Sequence, residues 1–418
     1  MAAKGVRTIC IVTGAHLCRN PRVVKEADAL ADAGHAVTVL GPAFDDALAQ
    51  TDAALIAGAA WTHRTVVDLR PSAGWRAIAA RTQRRLANEA KRVLGRDSAA
   101  MLGYGLGATL RAADAAQADL TIGHQEVGTW VCAQLATRGR RIGVDIEDWY
   151  SHHPHPSERD GYAVRLLQKI EGKTLRQAAY SVTTSDALAD ALADAYAAPR
   201  PDVVYNAFPW SDRDTLDGLQ LDREDRSRLS LHWVSQTIGP DRGLDLLFDA
   251  LRLVTTPVDV HLRGRLPEAH AGWLHTAFPT NPHRLYVHGL VPPSELLSRI
   301  AEHDVGLALE TTEIESRDLT VTNKILHSLL GGLAVVASQT AGQAEVARLA
   351  PEAVMLVGQA DARGFADALT ALADDPNRLA DAQRAALDAA RRRFCWERQA
   401  PTVVDAVEAA FSRGSFRS

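Results

Sequence analysis

Short apolar runs alternate with helical patterns along nearly the whole chain. In the first half the runs fall at residues 8–14, 36–41, 65–69, 120–124, 141–148, 180–185 and 202–208. In the second half they fall at 231–235, 258–264, 284–289, 305–310, 333–338 and 353–358. Each has the length of a strand, and helical patterns fill the intervals, as in NPRVVKEADALADAGH, a charged amphipathic helix ended by Gly34. Strand–helix alternation predicts parallel sheets covered by helices on both faces. The polar stretch 211–228 carries little apolar content and reads as a linker, and three helical segments without a strand follow Gly358. The expected fold class is α/β, with two doubly wound Rossmann-like domains at 1–210 and 229–395 and a C-terminal segment at 396–418. A ligand is expected in a cleft at the strand C-terminal ends.

One segment combines these patterns with chemistry. TVTNKILHSLLGGLAVVASQTAGQAEV (320–346) reads as a helix capped by Thr320 or Thr322, stopped by Gly331-Gly332, then a buried strand and a polar loop. At 100° per residue, Ile325, Leu326, Leu329 and Leu330 share one face, and Lys324, His327, Ser328 and Gly331 share the other. Unpaired N–H groups at the start of the helix, beside Asn323-Lys324, attract anions. Gly331 on the polar face is expected to let a flat ligand come close to the backbone. The pattern fits a phosphorylated ligand held against a helix.

Composition narrows the class. The 418 residues are 46% hydrophobic and 23% charged with net charge −5, which gives no global pull toward nucleic acid. Cys10, Cys18, Cys132 and Cys395 form no CxxC pair and read as small side chains in a reducing compartment. No apolar run approaches the roughly 18 residues of a membrane span, and MAAKGVRTICIV lacks the features of a signal peptide. The expected location is cytoplasmic, with the inner membrane face as an extension of that reading. Residues 70–96 stand apart, with eight Arg or Lys against Glu89 alone. Trp75, Ile78, Thr82, Leu86 and Val93 recur there at helical spacing. The favoured reading is a solvated insertion whose apolar stripe packs on the domain. The second reading is a peripheral-membrane or anionic-acceptor surface.

Four segments in order resemble retaining glycosyltransferases of the GT-B fold, family 4 (glycosyl transferases group 1). They are NPRVVKEADALADAGHAVTVL, VHGLVPPSELLSRIAEHDVGLAL, TNKILHSLLGGLAVVASQTAGQAEV and FCWERQAPTVVDAVEAAF. The resemblance implies an acceptor-side first domain, a donor-binding second domain and a C-terminal helix returning to the first. It implies transfer of a sugar from a nucleotide diphosphate donor with retained configuration, no metal and no cofactor beyond that co-substrate. The acceptor would be a glycan, a lipid-linked intermediate or a small molecule. Two other readings stand beside it: a non-catalytic relative that binds nucleotide sugar or serves as a partner subunit, and a nucleotide-sugar epimerase.

Residue by residue, the resemblance places Arg242 and Lys324 on the donor diphosphate, with Gly239, Thr322, Asn323 and His327 around them. The backbone at Leu290 and Val291 would meet the base. The first loop, with His16, Arg19 and Asn20, would lie over the diphosphate. His124 would hydrogen-bond the donor sugar or acceptor, and Glu147 or Asp148 would take the acceptor proton. The chain departs from the family where two glutamates eight residues apart are usual, since Leu319 and His327 stand there. Glu310, Glu313 or Glu315 could supply a carboxylate from another register. Thr237 stands where some relatives carry a second arginine. His152, His153 and His155 read as an exposed loop ahead of a transition-metal group.

Overall fold

Every apolar run singled out above is a strand in the computed structural model, which describes residues 5–223 and 225–412. The first seven are β1 (Thr8–Val12), β2 (Ala36–Ala43), β3 (Thr62–Asp68), β4 (Leu120–His124), β5 (Ile142–Ile146), β6 (Tyr180–Thr183) and β7 (Asp202–Val203). They form one sheet in the order β3-β2-β1-β4-β5-β6-β7. The other six are β8 (Leu229–Thr237), β9 (Val258–Arg265), β10 (Arg284–His288), β11 (Val305–Ala308), β12 (Ala334–Ser338) and β13 (Val354–Val357). Their order is β10-β9-β8-β11-β12-β13. The strand pairs are parallel, for example Ile9 beside Val37 and Val305 beside Ala334. In each sheet the order reverses once, between β1 and β4 and between β8 and β11. Such a reversal opens a crevice at the strand C-termini where ligands bind.

The chain divides into two units. The first is Met1–Thr184, Leu188–Val204 and Ala400–Ser418; the second is Ser185–Ala187 and Tyr205–Gln399. The helix Trp396–Ser412 therefore begins in the second unit and ends in the first. Val403, Val407 and Ala410 on that helix are buried. Cys10, Val12, Leu40, Val131, Cys132 and Ile142 lie at the centre of a core in the first unit. In the second unit Trp233, Phe248, Leu262, Leu307, Val336 and Phe365 belong to a single larger core. The central strands of both sheets are buried on both faces, which is why they read as continuous apolar runs rather than alternating ones.

Two strands of the second unit depart from that rule. On β9, Val260 and Leu262 face the core, whereas Asp259, His261 and Arg263 alternate with them and are buried as well. On β8, Ser230 and His232 alternate in the same way with Leu231 and Trp233. A buried polar face needs partners, because unpaired charge in a low-dielectric interior is costly. The stretch expected to be a free linker supplies several of them. Asp222 pairs with Arg263, and Arg223 pairs with Asp304 at 2.8 Å. Asp217 pairs with Arg299 at 2.5 Å. Of these, Asp222 reaches the polar face of β9, whereas most of residues 211–221 are exposed.

Candidate functional site

The helix Asn323–Gly331 is set by the pattern read from its sequence. Ile325, Leu326, Leu329 and Leu330 are buried, and Gly332 ends the helix in the left-handed region at φ 82°. Its N-cap is Thr322, whose side chain makes no capping bond and instead donates from its hydroxyl to Gln343 Oε1 at 3.2 Å. The first helical N–H groups therefore have no side-chain cap, and the positive end of the helix dipole faces outward.

That end opens onto a pocket of about 370 Å³. Thr322, Asn323, Lys324, His327, Leu290 and Val291 all line it. Lys324 Nζ donates to the Glu310 carboxylate and to Leu309 O at 3.3 Å, and lies 5.8 Å from the Trp233 ring centre. The two side chains are 11% and 6% exposed. Burial lowers the Lys324 pKa, Glu310 opposes that, and the charges of Arg242 and Arg317 add to the lowering. The ammonium is thus short of negative charge despite its partner. Glu310 Oε2 is buried with no hydrogen-bond partner. His327 stacks flat on Phe208, with ring centres 3.5 Å apart.

Residues 228–375 match the family model described as glycosyl transferases group 1. The chain carries a group 1 glycosyltransferase domain. That domain makes it a glycosyltransferase, and the two Rossmann-like units give it the GT-B fold. Solved structures agree on the fold. A sucrose-phosphate synthase from Thermosynechococcus elongatus aligns over 98% of this chain and 100% of its own, with TM-score 0.68 and 14% identity. HepE from Anabaena in complex with UDP-glucose aligns over 96% and 100%, with TM-score 0.65 and 16% identity. A UDP-forming α,α-trehalose-phosphate synthase from Burkholderia xenovorans aligns over 96% and 99%, with TM-score 0.59 and 15% identity. No curated protein matches the glycosyltransferase sequence.

Around the pocket, sequence reasoning missed Arg263. Its guanidinium donates to Gly289 O at 2.7 Å and pairs with Asp222, so it fixes the backbone just before Leu290. An arginine inside the apolar run VDVHLRG was the available signal. Arg242 sits in the turn Pro240–Arg242, outside the pocket lining yet near enough for its charge to act on Lys324. Gly243, which follows it, has φ 76°, and an added Cβ would lie 3.0 Å from Leu309 Cβ. At Gly239 packing alone calls for glycine, since a Cβ there would meet His270 Nδ1 at 2.8 Å. The expectation for Gly331 and Ser328 is also corrected. Gly331 is packed against Ile300, and Ser328 is buried with its hydroxyl donating to Lys324 O at 2.8 Å.

In the first unit, β4 and β5 run side by side with His124 in register with Asp145. His124 was expected beside substrate; it is instead a core group, 1% exposed, with Nε2 2.5 Å from Glu26 Oε2. Tyr180 donates to Glu26 Oε1 at 2.5 Å, and Arg22 donates to Asp145 Oδ2 at 2.5 Å and to Val204 O at 2.8 Å. Burial disfavours the charged imidazole, but Glu26 and Asp145 outweigh it and raise the His124 pKa. For Glu26, burial acts upward and is outweighed by His124, which lowers its pKa. Glu26, His124 and Asp145 have the grouping of metal ligands. The guanidinium of Arg22 and the hydroxyl of Tyr180 bond their carboxylates, so they form a buried ionic network in which Arg22 Nη2, His124 Nδ1 and Asp145 Oδ1 have no hydrogen-bond partner.

Glu147 and Asp148 follow β5 and are half-buried. Burial first, and then the adjacent Asp148, push the Glu147 carboxyl up to about 7. The Thr184 hydroxyl donates to Glu147 O at 2.9 Å, which fixes the backbone there. The loop residues expected over the diphosphate separate. His16 is buried, and its Nε2 accepts from Phe44 N at 2.8 Å, so Nδ1 carries the proton toward Asp52 Oδ2 at 2.6 Å. Asn20 is a buried residue at the start of the helix Pro21–Asp32, with Nδ2 3.4 Å from Thr13 Oγ1. Both shape the loop from within. Arg19 is exposed. His152 packs tilted against Trp149 with ring centres 3.8 Å apart, and His155 bonds Ser157 at 2.6 Å. Among the described residues these histidines form no metal-ligand group.

Proposed function

We propose that the protein transfers a sugar from a nucleoside diphosphate donor to an acceptor hydroxyl, with retention of configuration and without a metal. The observation that carries this reading is the pocket in which a buried, partly compensated Lys324 meets an uncapped helix N-terminus. Both favour the negative charge that develops on the diphosphate as the bond from sugar C1 to the phosphate oxygen breaks. Lys324 acts there as a point charge, and Arg242 offers a fork of N–H groups to phosphate oxygens. The unpartnered Glu310 Oε2 suits a ribose hydroxyl, the role given in many relatives to the glutamate that His327 replaces. The backbone of Leu290 and Val291, held by Arg263, is the place for the base. The structural likeness to HepE in complex with UDP-glucose makes a uridine donor the first to test.

The acceptor oxygen bonds to C1 on the face that the diphosphate leaves, and its proton passes to a carboxylate. Glu147 fits that task, because a carboxyl with a pKa of about 7 exchanges a proton readily at neutral pH. Thermal-shift titration with UDP and GDP, followed by turnover of the matching sugar donors with crude envelope acceptors, tests the proposal. A shift with UDP and release of UDP from UDP-sugar are expected. A shift without turnover across the donor panel would identify a non-catalytic nucleotide-sugar binder instead.

A further inference from the structure

The helix Trp75–Leu94 reverses the usual arrangement of an amphipathic helix on a domain. The side chains it buries are the small ones, Ala77 and Ala87. Its large apolar side chains face outward, with Trp75 73%, Ile78 64%, Leu86 64% and Val93 72% exposed. At 100° per residue these four fall within an arc of about 80°. The stripe expected to pack on the domain therefore covers nothing within the described residues.

Basic residues border the stripe. Arg81, Arg85 and Arg92 lie along one side and Arg76 along the other. Some of the basic side chains tie the helix to the domain. Arg81 donates to Leu69 O at 2.6 Å, Lys91 pairs with Asp97 at 2.7 Å, and Arg84 stacks over Tyr104 at 4.7 Å. Arg76, Arg85, Arg92 and Arg96 are exposed. At the end of the helix a groove of about 870 Å³ is lined by Lys91, Arg92, Arg159 and Arg165 beside Tyr162, which is 48% exposed.

We propose that this helix and the groove at its end dock the protein on the surface of an anionic phospholipid bilayer. A helix of 20 residues lies flat over about 30 Å. Its apolar arc enters the boundary between headgroups and acyl chains, while the arginines and the exposed tyrosine meet phosphates. The net charge of −5 would repel such a surface, so attraction must come from a local patch. Residues 70–96 carry an excess of seven positive charges. The proposal does not rest on the donor chemistry, because donor binding belongs to the second unit.

Full-length protein is co-sedimented with vesicles of equal parts phosphatidylcholine and phosphatidylglycerol, and with phosphatidylcholine alone. Binding to the anionic vesicles at least tenfold tighter is expected. Each basic residue near an anionic surface is worth about fivefold. Trp75→Glu with Leu86→Glu, and separately Arg85→Glu with Arg92→Glu, should each lower binding at least tenfold; Arg85→Lys with Arg92→Lys should retain it. All these positions are exposed, and an unchanged unfolding midpoint without ligand checks that the fold is intact. Equal binding to both vesicles, no binding, or undiminished binding by the two glutamate pairs would overturn the proposal. So would self-association in sedimentation velocity that the Trp75→Glu, Leu86→Glu pair abolishes, since a second copy would then cover the stripe.

Discussion

Lys324 pairs with Glu310 in the structure and is proposed to meet the incoming diphosphate, and a pair of substitutions separates the two roles. Lys324→Ala leaves Glu310 as a buried carboxylate, 6% exposed, with one oxygen already unpartnered. Removing one member of a buried ion pair costs about 3–5 kcal/mol, mostly from the stranded charge. Adding Glu310→Gln removes that charge and should return most of the lost stability, read as the midpoint of urea unfolding without ligand. Affinity for UDP should behave differently. One charged hydrogen bond to phosphate is worth about 1.5–3 kcal/mol, roughly tenfold to a hundredfold in affinity. Both the single and the double variant should show that loss in calorimetric titration, because neither restores a cation. Recovery of UDP affinity together with stability in the double variant would refute the phosphate role of Lys324. Unchanged stability in Lys324→Ala would refute the buried pair.

Arg242→Ala should weaken UDP binding by about tenfold or more while leaving the unfolding midpoint nearly unchanged, as its side chain sits half-buried in a turn; equal titration curves would remove it from the donor site. Glu147→Gln addresses a pKa of about 7 in the folded protein against 4.5 for a free carboxyl. Between those values the folded state holds a proton that the unfolded state has lost, so stability falls as pH rises through the window. The fall amounts to at most about 3 kcal/mol. The variant should lose that slope, and its turnover should lose the rise through neutral pH; a wild-type-like pH–rate curve would exclude Glu147 as the base. His124→Gln should lower the unfolding midpoint without changing UDP affinity. The raised His124 pKa gives stabilisation that is full below 6.5 and lost as pH rises through the folded value. The deficit of the variant should therefore shrink in alkali, and a constant deficit would contradict the ionic network.

The central strands were legible because they are buried on both faces, and a continuous apolar run bounded by turn residues has few other readings. The donor helix was legible for a related reason. Ile325, Leu326, Leu329 and Leu330 must point inward, which leaves Lys324 and His327 on the pocket. Residues whose partners are distant in sequence were not. Glu26 joins His124 across 98 positions and Arg22 joins Asp145 across 123. No periodicity links such pairs, so His124 at a strand end looked like a substrate ligand. The polar composition of 211–228 pointed to a linker but not to its partners, since Asp222 and Arg228 pair with Arg263 and Asp259 on β9.

These two buried polar systems bear on function through what they hold still. The charges of the network around His124 reach Glu147: Arg22 and His124 draw its pKa down, while Asp145 and the adjacent Asp148 draw it up. The carboxylate's poise near neutrality is therefore a balance among fixed charges, not the result of burial alone. In the second unit, Asp222 and Arg263 do the same for backbone geometry. The guanidinium is held by a carboxylate and in turn holds the Gly289 carbonyl, so the peptide groups that follow are set before any ligand arrives. Networks of this kind add little net stability, because desolvation offsets their attraction. Their contribution is pre-organisation, which lowers the ordering cost of binding and of the reaction step. A polar core is thus more informative about a site than an apolar one, since it is retained where geometry matters more than stability.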